Sequence, residues 1–488
     1  MQQRRIVGID LGVVTSHTAH VVDEHAEVIA KRRIDPTVAG FTALEAAALA
    51  GVDDDVRLEV VIEPTGAAWL PVAVWFTRRG HTVYRVSTQK AADLRRFLSR
   101  HAKSNSIDAA TLARLPIIDP AGLYPVALPA TAEAAELDRR VRTAARLTDQ
   151  IGTHKRRLIE LARQVMPTIG TVLSPGLTRT DLAVLERYGD PRRLAVVRTD
   201  RLAGLIGRVS HGHGDATAKA EQFRTVARDA VALYGDDIAV PFAALADEIA
   251  TEIRIIRTLE AERVRHEDAR EQAYQVVDGD QLARSLPGMK RVGGPMLVAV
   301  MGNPDRFRNA AAFKSYIGLT PRASQTGETD RKGQPLTKAG NRRLRTQLLR
   351  AAETARQTDP QLAAIYFDQM TAKGAVHTKA LTVVAARLAE RAWVVMHRQS
   401  PYLVCDTDGT PVAPAEARRI IADRFTVPAD IRARRRSKKG GRAPQTALEG
   451  QIGQRTKRDR TRRPSHHKAS PQAPTQSIPT KVLTTDRP

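Results

Sequence analysis

Residues 7–23 read VGIDLGVVTSHTAHVVD. A β-branched run beginning at Arg4 leads to an acid, Asp10. Gly12, two positions on, lets the chain turn tightly, so that the carboxylate is expected to face a site rather than a neighbour. The segments Thr18 to Asp23 and Glu27 to Ile34 repeat the strand pattern with turn residues between them, which predicts an antiparallel opening meander. The spacing then predicts a helix over Gly40 to Gly51, a strand over Arg57 to Ile62, a helix over Trp69 to Arg79 and a strand over His81 to Val86. Strands alternating with helices imply a mixed α/β sheet.

Two further acids join Asp10. Glu63 closes an expected strand in VVIEPTG (residues 60–66), where Pro64 and Gly66 stop the strand just past the acid. Asp108 lies in KSNSIDAATLARL (residues 103–115), and Asn105, three positions earlier, shares its helical face. Oxygen ligands from separate elements suit Mg²⁺, which takes octahedral oxygen coordination and keeps several waters. Two such ions about 4 Å apart activate an attacking oxygen and stabilise the leaving oxygen of a phosphodiester. Several carboxylates are needed, because crowded like charges repel unless cations neutralise them.

The composition supports a polyanionic partner. Lys and Arg number 77 against 53 Asp and Glu, a formal charge of +24 over 488 residues, with an isoelectric point near 10.6. That balance points to nucleic acid. A membrane surface fits less well: no apolar run approaches the roughly 20 residues of a spanning helix, and MQQRRIVGIDLG enters a strand without the apolar core of a signal peptide. A cytoplasmic location is expected. A single cysteine, Cys405, precludes an internal disulfide and a cysteine-cluster zinc site, and reads as an inert thiol. With 4% aromatic residues, base-stacking platforms are not the main binding device.

The chain length allows two or three domains. Residues 1–128 form the expected α/β domain. From 129 to 280 the texture is all-helical: Leu137, Val141, Ala144, Thr148, Ile151, Lys155 and Leu158 recur at alternating spacings of four and three, a coiled-coil-like seam imperfect at Thr148 and Lys155. Phe242, Leu245, Ile249, Ile253 and Ile256 start a second seam that runs to about Val264. Two readings fit, core helices of a bundle or an antiparallel arm for self-association. Between the seams, SHGHGD (residues 210–215) reads as an exposed Gly-rich loop rather than a metal site. Residues 281–401 form a compact helical domain opened by LPGMKRVGGP, residues 402–430 connect, and 431–488 carry RARRRSKKGGRAPQ and a polar stretch expected to be a disordered basic tail. LPGMKRVGGP reads either as a helix-hairpin-helix turn whose backbone N–H groups approach a DNA phosphate or as a link between packed helices.

The three acid-bearing segments resemble the blocks of the RuvC-like domain of the DEDD transposases, the insertion-sequence-one-ten family that includes the Piv invertases. GNPDRFRNAAAFKSYIGLTPRASQTGETDRKGQPLTKAGNRRLRTQLLRAA (residues 302–352) resembles the C-terminal block of the same family. The resemblance implies an RNase-H-like fold in which Asp10, Glu63 and Asp108 are three of four metal-binding acids; Asn105 stands at the fourth, lowering the charge by one while still offering a carbonyl oxygen. It also implies a hydroxyl nucleophile that holds DNA as a phosphoester. Alignment favours Thr326, next to Gly327, while the less crowded primary hydroxyl of Ser324 is favoured on reactivity; both also fit as turn residues. Arg322, Arg331, Lys332, Lys338, Arg342, Arg343 and Arg345 would neutralise DNA phosphates. A homo-oligomer, a structured guide RNA encoded by the element and contact with the bacterial nucleoid complete what the resemblance implies.

Two rivals bear on this reading. IDLGVVTSHTAHVVD also resembles the first phosphate loop of actin-like ATPases and sugar kinases, but the second Gly-rich loop of that class is not evident. Asn105 and Thr326, both departures at catalytic positions, are what an inactive DNA-binding remnant of a transposase would show.

Overall fold

The computed structural model describes residues 3–98, 104–235, 240–321, 325–326, 329–330, 334–338 and 340–435. Five strands open the chain: β1 (Arg5–Asp10), β2 (His17–Val22), β3 (Val28–Ile34), β4 (Leu58–Ile62) and β5 (Thr82–Arg85), in the order β3-β2-β1-β4-β5. β1, β2 and β3 form the expected antiparallel meander, whereas β1, β4 and β5 run parallel. Parallel neighbours require crossovers, supplied here by α1 (Val38–Leu49) and α2 (Trp69–Arg78).

Strand alternation sorts the two faces. Val7, Ile9, Val60 and Ile62 pack under α1 and α2 against Phe41, Leu44, Val72 and Phe76. Ile6, Val22 and Val61 face the other way, against Leu112, Ala113 and Leu115 of α4 (Asn105–Ile118), with Ala91 of α3 (Thr88–Leu98) beside them. Full burial of each Ile, Leu or Phe contributes about 1.5–3 kcal/mol, so both layers are needed to hold the thin sheet.

A short strap then leaves the sheet. Val126 donates its N–H to Val83 O at 2.7 Å, extending pairing beyond β5. Tyr124 enters a cage formed by Phe307 and Tyr316, with ring centroids at 5.7 and 5.5 Å. Arg306 closes it: its guanidinium lies over both rings and donates to the carbonyls of Pro125, Val300 and Met301.

Two long helices, α5 (Ala132–Val165) and α10 (Phe242–Val277), pair along their length within the one chain. Leu137, Val141, Ala144, Ile151 and Leu158 are buried as the seam expects, but Thr148 is exposed and Leu147 faces inward instead. The shift follows from helix geometry: 3.6 residues per turn drift out of a strict seven-residue seam when no supercoil compensates. Val264, expected to extend the second seam, is 50% exposed. Between the long helices, α6 (Arg179–Tyr188), α7 (Pro191–Val196), α8 (Thr199–Ser210) and α9 (Ala216–Tyr234) build their own core around Phe223 and Leu202. The SHGHGD segment is exposed, and Asp215 caps α9 by accepting from Ala218 N.

The remaining helices are α11 (Leu282–Ser285), α12 (Gly293–Met301), α13 (Ala310–Tyr316), α14 (Arg342–Thr358), α15 (Pro360–Met370), α16 (His377–Arg398), α17 (Pro414–Arg424) and α18 (Ala429–Arg434). They share a core with Leu137 and Val141 of α5, so that helix bridges two cores. The expected start of the disordered tail needs correction. Ile431 packs against this core within α18, and Arg435 O accepts from His377 N at 3.1 Å; the rest of the expected tail, from 436, lies outside the described residues. Among the described residues no helix is long and apolar enough to cross a membrane.

Candidate active site

Register brings two of the three acids together. β1 and β4 pair in parallel with Ile9 opposite Ile62, so Asp10 and Glu63, each one residue further on, leave adjacent strand ends side by side. Neighbouring strands lie about 4.8 Å apart. Alternation gives both carboxylates the same face as Gly8 and Val61, the face covered by α4. Both are partly exposed. Gly12 performs its expected role: a Cβ there would collide with the backbone of Thr15 and Ser16, so the turn after Asp10 closes only around glycine.

α4 brings the third acid to this face. A Cβ on Gly8 would fall on the backbone of Ala109 and Ala113, so the helix lies directly on the strand at the one position without a side chain. Asp108, adjacent to Ala109 and in the first turn of α4, is thereby carried to the acid-bearing face. Ser104 caps the helix by accepting from Ile107 N at 3.2 Å. Ser106 Oγ lies 2.9 Å from Nε2 of His20, a buried residue of β2 whose pKa is lowered by burial and, further, by Lys31. Arg95 of α3 donates to Asp108 Oδ1 at 2.9 Å. Asn105 begins α4 and is exposed.

The donor set matches a hard cation in kind: carboxylates from two strand ends and a helix, with an amide oxygen one turn away. Among the described residues, no three His, Cys, Asp or Glu side chains lie close enough to share an ion. Asp108 is engaged by Arg95, which neutralises its charge.

The C-terminal block divides the expected DNA contacts. Arg345 is corrected: it is 8% exposed, and its Nη1 donates to Ile317 O at 2.9 Å, holding the end of α13 against α14. Burial, with Arg342 nearby, lowers its pKa. Arg343 is exposed but ion-paired with Asp149 of α5 at 2.9 Å. Arg342 and Lys338 are exposed. Arg322, Ser324, Arg331 and Lys332 lie outside the described residues. Thr326 falls in a two-residue ladder, β6 (Gln325–Thr326) against β7 (Thr329–Asp330), in which it pairs with Thr329. The glycines of LPGMKRVGGP serve internal packing. Gly288 has φ +77°, and a Cβ there would meet Ala351 of α14 at 2.7 Å; one on Gly294 would meet Arg284 Cγ at 2.8 Å. Gly294 is buried and Gly288 partly so, a packing that fits a link between helices.

Known proteins match both halves of this arrangement. Residues 7–167 match the DEDD transposase family of the IS110 type, and residues 280–367 match the transposase IS116/IS110/IS902 family. The chain belongs to this IS110 family. A protein of insertion element IS110 from Streptomyces coelicolor, described as an uncharacterized 43.6 kDa protein, is 28% identical over 47% of this chain and 55% of its own length. An uncharacterized 44.8 kDa protein of IS116 from Streptomyces clavuligerus is 25% identical over 49% and 58%. The mini-circle putative transposase for IS117, from S. coelicolor, is 26% identical over 72% of this chain and 84% of its own. The first two matches thus span little more than half of those relatives.

The first IS110-family match includes Asp10, Glu63 and Asp108, and the second includes Thr326. A DEDD-type domain implies divalent-metal dependence in general. Sequence reasoning missed Arg95, because an ion pair across 13 residues leaves no periodic signal. Gly8 was detectable: a glycine inside an apolar strand marks close backbone approach.

Proposed function

We propose that this IS110-family chain is a DNA transposase that cleaves and rejoins strands to move an insertion sequence. One observation carries the reading: Asp10 and Glu63 stand at adjacent parallel strand ends, on the face where Gly8 admits the helix bearing Asp108. Asp10, Glu63 and Asp108 would hold Mg²⁺ once drawn closer than they stand here, with the Asn105 amide oxygen at the fourth position. A divalent ion held there would supply Lewis-acid polarisation of a phosphodiester.

The exchange conserves phosphoester bonds. The hydroxyl oxygen of Thr326 or Ser324 bonds to phosphorus as one DNA P–O bond breaks, and the released DNA oxygen takes up a proton; reversal onto a new DNA end rejoins the strand. Arg342 and Lys338 supply exposed positive charge on the same block. The formal charge of +24 supports DNA and a structured RNA as partners in the bacterial cytoplasm, and the paired long helices offer a surface for self-association.

The test is a strand-transfer assay with wild-type protein and Asp10→Asn, followed by mass spectrometry of any protein–DNA adduct. Transfer by the wild type, its loss in the variant and linkage at Thr326 or Ser324 are expected. An inert wild type that still binds DNA would identify a remnant, and an adduct at neither hydroxyl would overturn the nucleophile. Sequencing of copurified nucleic acid should yield one enriched structured RNA.

A further inference from the structure

We infer that Arg85, presented on the ring of Trp69, binds a phosphate of the DNA strand that runs between the carboxylate edge and the C-terminal block; the inference rests on the transposase reading above. Arg85 ends β5 and lies opposite Ile62 in the parallel register, so it flanks the strand end that carries Glu63. Alternation turns its side chain to the opposite face from the acids. It therefore addresses a phosphate of the bound strand away from the carboxylates.

Arg85 is exposed to solvent, and three features make it a phosphate ligand. First, its guanidinium carbon lies 4.6 Å from the centroid of the Trp69 ring. That contact uses the face of the group and leaves its in-plane N–H fork for a bidentate anion. Second, it sits in an excess of positive charge. Burial pushes its pKa below the usual arginine value, and although Tyr316 opposes this, Arg142 and Arg306 push in the same direction. Asp138, the nearby acid, is ion-paired with Arg142 at 2.9 Å. Such a cluster is relieved by an incoming anion. Third, its neighbours come from both parts of the molecule: Trp69 belongs to α2 beside the sheet, while Tyr316 ends α13 of the C-terminal block, so Arg85 stands where the two meet. Arg306 is occupied by three backbone carbonyls, leaving Arg85 to supply the free donors.

Binding of the full-length protein to a mixed-sequence DNA duplex, measured against salt, tests this. Arg85→Gln is expected to weaken binding about tenfold and to reduce the slope of log K against log salt by roughly one. Arg85→Lys should restore the slope, because counterion release counts charge, and neither variant should change the thermal unfolding midpoint. An unchanged slope for Arg85→Gln, or a loss confined to thermal stability, would overturn the assignment; so would an effect seen with RNA of the same length but not with DNA. The two readings fail separately. If Asp10→Asn abolishes strand transfer while Arg85→Gln binds like wild type, only the Arg85 inference falls; if Arg85→Gln changes the slope while Asp10→Asn stays active, only the carboxylate site falls.

Discussion

The acids of the sheet and the arginines of the C-terminal block were singled out on comparable grounds, as charged residues in suggestive strings, yet the structure treats them differently. Asp10 and Glu63 come together because parallel register and strand alternation leave them little choice. The arginines follow no such rule. Arg345 is consumed in holding Ile317, Arg343 is paired with Asp149, and Arg342 is left exposed three positions before Arg345. A carboxylate at a strand end is positioned by short-range geometry, whereas an arginine on a helix takes its role from whatever packs opposite.

The sharpest way to break this comparison is to neutralise the acids. Asp10→Asn, Glu63→Gln and Asp108→Asn should each reduce strand transfer by more than the roughly 100-fold that loss of an outer-sphere metal partner costs, with the folded circular-dichroism spectrum retained. Full activity in any one would remove that residue from the site. Next comes Gly8→Ala, which keeps every acid but forces α4 from the strand. A stability loss of about 1–3 kcal/mol by denaturant titration is expected, together with a loss of transfer that reflects displaced Asp108; a variant as stable as wild type would mean that the helix moves freely on the sheet.

The arginines should split in the opposite sense. Arg345→Ala leaves the Ile317 carbonyl without its buried donor and should cost about 1–3 kcal/mol, while Arg342→Ala should leave stability unchanged and weaken DNA binding. Equal effects of the two on DNA affinity, with neither destabilising, would erase the distinction. Smallest is the Arg343–Asp149 pair, both partners exposed at 43% and 74%. A double-mutant cycle should return between about 0 and 1 kcal/mol, and a larger coupling would show that this bridge anchors α14 to α5.

These differences also explain what the sequence could carry. The five strands and first two helices of the sheet domain fall within two residues of their expected bounds, because apolar periodicity ended by turn residues encodes such elements locally, whereas α3 was not foreseen. The strand order, with β1 between β2 and β4, is not local information, and neither is the Arg95–Asp108 pair. In the long helices, the apolar pattern announced a seam but not its phase, so Thr148 was expected where Leu147 lies. The buried role of Arg345 was hidden because its partner is a backbone carbonyl 28 residues away, on another helix.

The strap beyond β5 has a bearing on assembly. Pro125 and Val126 cover the outer side of β5, and the proline brings no N–H with which to continue a ladder. At the other margin, β3 presents Lys31, Arg32 and Arg33 in succession, a row of like charges that repels an identical strand laid alongside. Neither border of the sheet invites a second molecule to add to it. Copies of this chain that associate would do so through their helices, so each protomer's strand-end acids would remain on a sheet closed to exchange while the helical regions are free to meet.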